Sequence, residues 1–132
     1  MKVHLNLGVS QLDRSVAFYR TLLNFEPTKQ FSDYALFVGE DPGIELALDL
    51  AGDVKTDTSV HFGIVVSSTQ AVEDVVTRLK SAGYPTDVEL DETCCYARQT
   101  KVWTSDPDGR PWETYVVHED TQERDDSDCC VA

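Results

Sequence analysis

"HLNLGVSQLDRSVAFYRTLLNFEP" (His4–Pro27) and "HFGIVVSSTQAVEDVVTRLKSAGYP" (His61–Pro85) follow one plan. Each opens on a histidine, alternates apolar and polar side chains as a strand does, then changes to helical spacing. The second copy starts 57 residues after the first, from His4 to His61. Val9 corresponds to Val66 at the strand end, and Ser10 to Ser67 where a helix should start. Asp13 and Gln70 follow three residues on, so both copies offer a Ser-x-x-acid/amide start signal. Leu12, Val16, Tyr19 and Leu23 make one apolar stripe, and Val72, Val75, Val76 and Leu79 make the other. Asn24-Phe25 ahead of Pro27, and Gly83-Tyr84 ahead of Pro85, are helix stops.

Shorter strand-like runs follow each helix: residues 26–31, 33–39 and 44–50 in the first half, and about 86–91, 94–104 and 111–117 in the second. "EDPG" (Glu40–Gly43) and "DPDG" (Asp106–Gly109) supply the turn before each final strand. The predicted architecture is α+β, two βαβββ modules at about 1–52 and 58–118. Parity then sorts the side chains. Val3, Leu5, Leu7 and Val9 share one face and His4 the other; Val60, Phe62, Ile64 and Val66 lie opposite His61. Ile44, Leu46, Leu48 and Leu50 lie opposite Glu45, and Trp112, Thr114 and Val116 lie opposite Glu113. With the apolar rows against the helices, the other faces carry His4, Glu45, His61 and Glu113.

Of the 132 residues, 41% are hydrophobic, which suits a folded domain. The formal net charge of −13 argues against nucleic acid or an anionic membrane as partner, since like charges repel. No apolar run approaches the roughly 18 residues of a membrane span. "MKVHLNLGV" has no basic region before an apolar core, so no secretory signal is read and a cytoplasmic location is expected. Residues 119–132 read as a solvated acidic, cysteine-containing tail, with Glu119, Asp120, Glu123, Asp125, Asp126 and Asp128 set against Arg124 alone.

The four cysteines form two adjacent pairs, Cys94-Cys95 and Cys129-Cys130. Neighbouring Cα atoms stand about 3.8 Å apart, whereas a disulfide usually spans roughly 4.4–6.8 Å. A ring closed within either pair would be strained, and with no export signal four reduced thiols are expected.

Paired βαβββ modules, a histidine near each module start, and "DPDGRPWETY" leading into a final-strand Glu resemble the vicinal oxygen chelate superfamily of glyoxalases, extradiol dioxygenases, fosfomycin-resistance enzymes and bleomycin-binding proteins. The resemblance covers residues 1 to about 118. It implies two modules closing around a cup with a divalent metal on its floor, formed within one chain or between two, so monomer and homodimer both stay open. The family's metal positions correspond to His4, His61 and Glu113. Two His and one carboxylate with open positions suit Fe(II) that must also bind oxygen. Glu45 takes the fourth place used by glyoxalase-type members and ranks below the other three.

"TCCYARQTKVW" (Thr93–Trp103) narrows the resemblance to the organoarsenical carbon–arsenic lyases, with cadmium-induced proteins as near relatives. Those enzymes are Fe(II)-dependent dioxygenases that cleave the C–As bond of trivalent organoarsenicals. The resemblance assigns arsenic binding to Cys94 and Cys95, and no catalytic side chain beyond the metal site. Trivalent arsenic is soft and thiolates are its natural ligands; two of them fill both exchangeable positions of methylarsenite. Alternation along a strand would split the pair between faces, so this segment should leave regular strand geometry. Tyr96, Arg98 and Lys101 are candidates for a gate or for orienting oxygen or an arsenic hydroxyl, and Cys129 and Cys130 for arsenic or metal capture by the tail. Two alternatives accompany this reading. One is a non-catalytic cadmium- or arsenic-binding stress protein. The other is a glyoxalase-like or fosfomycin-modifying metalloenzyme, which the 11 Lys and Arg and the adjacent thiols disfavour.

Overall fold

Val9, Leu46 and Leu48 are fully buried, while His4 and Asn6 on the opposite parity are exposed. The alternation read from the sequence therefore places the strands as expected in the computed structural model, which describes residues 1–57 and 59–122, with the backbone alone at Cys94. In chain order the elements are β1 (Val3–Val9), α1 (Leu12–Leu23), β2 (Lys29–Gln30), β3 (Tyr34–Glu40), β4 (Gly43–Leu50), β5 (Phe62–Val65), α2 (Thr69–Ser81), β6 (Asp87–Cys94), β7 (Ala97–Ser105) and β8 (Pro111–Asp120). The order is βαβββ twice, an α+β fold of two four-stranded sheets, β1-β4-β3-β2 and β5-β8-β7-β6. β1 runs parallel to β4, and β5 parallel to β8.

The chain divides into two compact units. Unit one comprises residues 1–56 together with Asp106–Gly109; unit two comprises residues 57–105 and the chain from Arg110. In unit one, α1 packs on β3 and β4 and buries Val16, Phe18, Tyr19 and Leu22 with Phe37, Leu46 and Leu48. The "DPDG" turn is held there by side chains: the Tyr19 hydroxyl donates to Asp106 Oδ2 at 2.6 Å, and Ser10 Oγ donates to Asp108 Oδ1 at 2.5 Å. In unit two, α2 packs on β7 and β8 and buries Val72, Val75 and Leu79 with Val102, Trp112 and Val116.

Several local expectations shift. The helix caps fall one residue later than read. Gln11 precedes α1 without a side-chain cap, because Ser10 is engaged by Asp108. Ser68, not Ser67, accepts from Ala71 N at 3.1 Å to cap α2. The stops fall where expected, at Asn24 (φ 64°) and Gly83 (φ 84°), both in the left-handed region. β2 shrinks to two residues, and β8 runs to Asp120, past the boundary expected at 118.

The largest departure is at the adjacent cysteines. Cys94 ends β6 and pairs with Ala97 at the start of β7, leaving a two-residue loop of Cys95 (φ 51°) and Tyr96 (φ 66°). Two positive φ values in such a loop define a type I′ hairpin turn, matched to strand twist and normally built from Asn-Gly. The expected strand over 94–104 thus begins three residues later. Two register shifts lie behind the turn, between Glu89 and Glu92 on β6 and between Arg98 and Gln99 on β7 against β8. Thr100 Oγ1 joins them, accepting from Asp91 N at 3.0 Å and sharing a 2.8 Å hydrogen bond with His118 Nε2.

Candidate functional site

One face of the second sheet gathers charge. Glu113 sits in the middle of that sheet on β8, and its side chain is nine-tenths buried. Its two oxygens face different partners. Oε2 lies 3.3 Å from Lys101 Nζ, and Oε1 lies 4.0 Å from His61 Nε2. His61 stands one residue ahead of β5, and its ring packs edge-on to Trp103 with centroids 5.1 Å apart. Lys101 is 3% exposed, with its ammonium 5.6 Å from both the Trp103 and Tyr115 ring centres. A buried ammonium and carboxylate are tolerable because they neutralise one another and the rings add cation–π attraction. Gly63 completes the arrangement, since a Cβ there would stand 3.2 Å from Glu113 Cγ and from Tyr115 Cε1.

Register carries the charged row onto β6, where Glu89 is the cross-strand partner of Lys101. Glu89 Oε2 is buried with no hydrogen-bond partner among the described residues. Burial raises its carboxyl above the usual range, the Lys101 charge opposes that rise, and Glu92, Asp87 and Glu113 add to it. Tyr115 is raised as well, by burial and then by the Glu113 charge. Beside Trp103 lies a cavity of about 220 Å³ walled by Pro85, Thr86, Asp87, Thr104, Ser105 and Pro111.

Unit one offers a simpler pair. His4 and Glu45 are direct partners in the parallel β1–β4 ladder, and His4 Nδ1 lies 3.3 Å from Glu45 Oε1. Both side chains are about half exposed. Register shows that Glu45 is not the counterpart of Glu113. Taking His4 with His61 matches Asn6 with Gly63, and the partners of those residues are Ala47 and Glu113. The second-module carboxylate thus stands one pleat further along than Glu45, where the first module has a buried alanine.

The donors fit a divalent ion in kind: imidazole nitrogens and carboxylate oxygens suit Fe, Zn or Mn. Two donors each about 2.1 Å from one ion can stand up to about 4.2 Å apart, which admits the His61–Glu113 separation. Among the described residues, no group of three or more His, Cys, Asp or Glu side chains is close enough to constitute a metal site on its own. Of the expected triad, His61 and Glu113 come together in unit two, and His4 belongs to unit one.

The three candidate gate residues separate. Tyr96 is exposed on the hairpin turn, and its carbonyl accepts from Thr121 N at 2.7 Å. Arg98 is clamped by Asp91 and by Glu119, the latter at 3.1 Å; these hydrogen bonds push its guanidinium further up. Lys101 alone turns to the Glu113 face. Cys95 is exposed in the turn and disulfide-bonded, so the expectation of four reduced thiols is corrected there. The spacing argument governs ring closure inside an adjacent pair only, and the compartment argument concerns surroundings rather than geometry. The Cys94 side chain, Cys129 and Cys130 lie outside what is described.

Glu89, Trp103 and Gly63 were not anticipated. A signal existed for Glu89. In "DVELD" the acids Asp87, Glu89 and Asp91 alternate with Val88 and Leu90; both apolar side chains are exposed, and Glu89 is the one acid of the three that is part-buried. Gly63 was visible as the lone glycine inside "HFGIV", a mark of close approach by a neighbour.

Each sheet pairs its module's first and last strands in parallel and carries a His–Glu pair on one face, and a family model matches residues 3–114. The chain belongs to the glyoxalase/bleomycin resistance protein/dioxygenase superfamily. Among its relatives in this superfamily is a probable trivalent organoarsenical cleaving enzyme of Bacillus subtilis (strain 168), 38% identical over 98% of this chain and 90% of that protein. The cadmium-induced protein CadI of Mycobacterium tuberculosis is 37% identical over 98% of this chain and 92% of its own length. The superfamily fold recurs in a glyoxalase/bleomycin resistance protein/dioxygenase from Alicyclobacillus acidocaldarius, with a TM-score of 0.73 at 19% identity over 90% of this chain and 92% of that one. No helix among the described residues is long and apolar enough to cross a membrane.

Proposed function

We propose that this chain is an Fe(II)-dependent dioxygenase that cleaves the carbon–arsenic bond of trivalent organoarsenicals. The observation that carries the reading is the 38% identity, over 98% of this chain, to a relative named a probable trivalent organoarsenical cleaving enzyme, in a chain that also has adjacent cysteines. His4, His61 and Glu113 would hold the metal, whose chemistry is to bind and activate molecular oxygen. Glu45, two residues short of the Glu113 register, is left to hydrogen-bond His4.

Cys94 and Cys95 take the arsenic as thiolates, displacing its two hydroxyls and leaving the organic group unbonded to protein. The positive-φ turn takes Cys95 out of strand alternation, which a two-thiol grip on one arsenic requires. Fixing arsenic on the turn makes its encounter with oxygen effectively intramolecular. Methylarsenite and one dioxygen balance to arsenite and formaldehyde, with every atom accounted for. Because Cys95 is disulfide-bonded in this structure, the reduced pair is the substrate-binding form. The acidic surface suits a neutral small-molecule substrate and a cytoplasmic setting without nucleic acid or membrane.

The reading is tested with reduced protein, Fe(II), air and methylarsenite. Arsenite should appear with the wild type, and both His61→Ala and Cys95→Ser should lower its yield at least a hundredfold. Arsenite formed equally fast without oxygen, or unaffected by His61→Ala, refutes the dioxygenase. The relationship to the cadmium-induced protein favours a second reading, soft-metal or arsenical sequestration without turnover. That reading requires tight Cd(II) binding that survives His61→Ala and no arsenite from any variant.

A further inference from the structure

We propose that Lys101 is a positioning residue that holds one oxygen of Glu113 and so presents only the other beside His61. The inference rests on the reading of His61 and Glu113 as metal ligands. Its basis is the split of one carboxylate between two partners: Oε2 is 3.3 Å from Lys101, while Oε1 is the oxygen 4.0 Å from His61. A lysine that merely neutralised the carboxylate could sit at the surface and reach in. This one is 3% exposed and wedged between the rings of Trp103 and Tyr115, each 5.6 Å from its ammonium. Its charge cannot swing out to solvent, so the hold on Oε2 persists.

Two neighbours tighten the arrangement. Glu89, the cross-strand partner of Lys101, has a buried Oε2 with no hydrogen-bond partner among the described residues. A second acid thus faces the same lysine from the neighbouring strand. From the other side, a Cβ at Gly63 would already meet Glu113 Cγ at 3.2 Å, so the glutamate stem lies flush against the β5 backbone. With its stem confined and one oxygen engaged, Glu113 offers a single donor. A one-oxygen carboxylate leaves a coordination position that a two-oxygen grip would fill, and a centre that must take up oxygen needs open positions.

The test uses reduced, full-length protein titrated anaerobically with Co(II), read by affinity and by visible absorption. Lys101→Met should bind Co(II) about 10- to 100-fold more weakly, the usual cost of removing a ligand's hydrogen-bonding partner. Its absorption should also weaken, as both carboxylate oxygens engage and the coordination number rises. Lys101→Arg keeps the charge but brings a planar fork that can engage both oxygens at once. It should fold and lose at least tenfold in affinity, which preserves the test if Lys101→Met fails to fold. Wild-type affinity and spectrum in Lys101→Arg, or in folded Lys101→Met, overturn the proposal. Glu113→Gln separates the two claims: undiminished Co(II) binding there overturns the metal reading itself, whereas its loss beside an unaffected Lys101 variant overturns only the role of Lys101.

Discussion

Glu113 and Lys101 illustrate how one residue becomes legible while its neighbour does not. Glu113 could be read because it follows "DPDGRPW" and opposes an apolar parity row. Lys101 reads from the sequence as a gate or orienting candidate near the cysteines, not as a partner of Glu113, since only cross-strand register, which no local pattern encodes, sets it against Glu89 and Glu113. Gly63 supplies the first residue-level prediction. Gly63→Ala would press on Glu113 Cγ and Tyr115 Cε1, so metal affinity should fall about tenfold while stability changes by less than about 1 kcal/mol. Calorimetric titration and a thermal melt check both parts. Glu89 supplies the second. Its folded carboxyl titrates above the usual range, so below the unfolded value the folded state gains the full benefit of its proton, and that benefit is lost as pH rises through the folded value. The contribution of Glu89 to stability should therefore fall as pH rises from the ordinary carboxylate range, and the stability of wild type relative to Glu89→Gln should fall with it in urea melts taken from pH 4 to pH 7.

The hairpin that joins β6 to β7 is the element on which sequence reading was least prepared. Helices announced themselves through stripes and stops, and both lie where the stripes put them. Their caps slipped by one residue because Ser10 had a tertiary partner in Asp108, which no window around the helix contains. The hairpin turn had no Gly or Asn to mark it, and a type I′ loop of Cys-Tyr runs against turn chemistry. Its strain was inferable only indirectly, from the need for two neighbouring thiols to escape alternation. Non-glycine residues in the left-handed region cost about 1–2 kcal/mol each. Tyr96→Gly should therefore stabilise the protein by about 1 kcal/mol, seen as a higher urea midpoint at unchanged slope. A loss of stability would mean that Tyr96 packs against something worth more than the strain.

At the scale of the molecule, the repeat revealed two modules, their order and their α+β class, because each copy buries its own apolar row. It could not reveal that Asp106–Gly109, which lies between two strands of the second copy, belongs with the first unit. The buried bond from the Tyr19 hydroxyl to Asp106 makes that membership energetic as well as spatial. Tyr19→Phe should cost about 1.5–3 kcal/mol, the worth of a hydrogen bond to a charged group, measured by denaturant unfolding with Fe(II) absent. Asp106 also limits how the polypeptide can be divided. A fragment ending at the repeat boundary would keep the phenol of Tyr19 in its interior yet surrender the carboxylate that answers it, so the two halves of this chain are twins in pattern without being independent in folding.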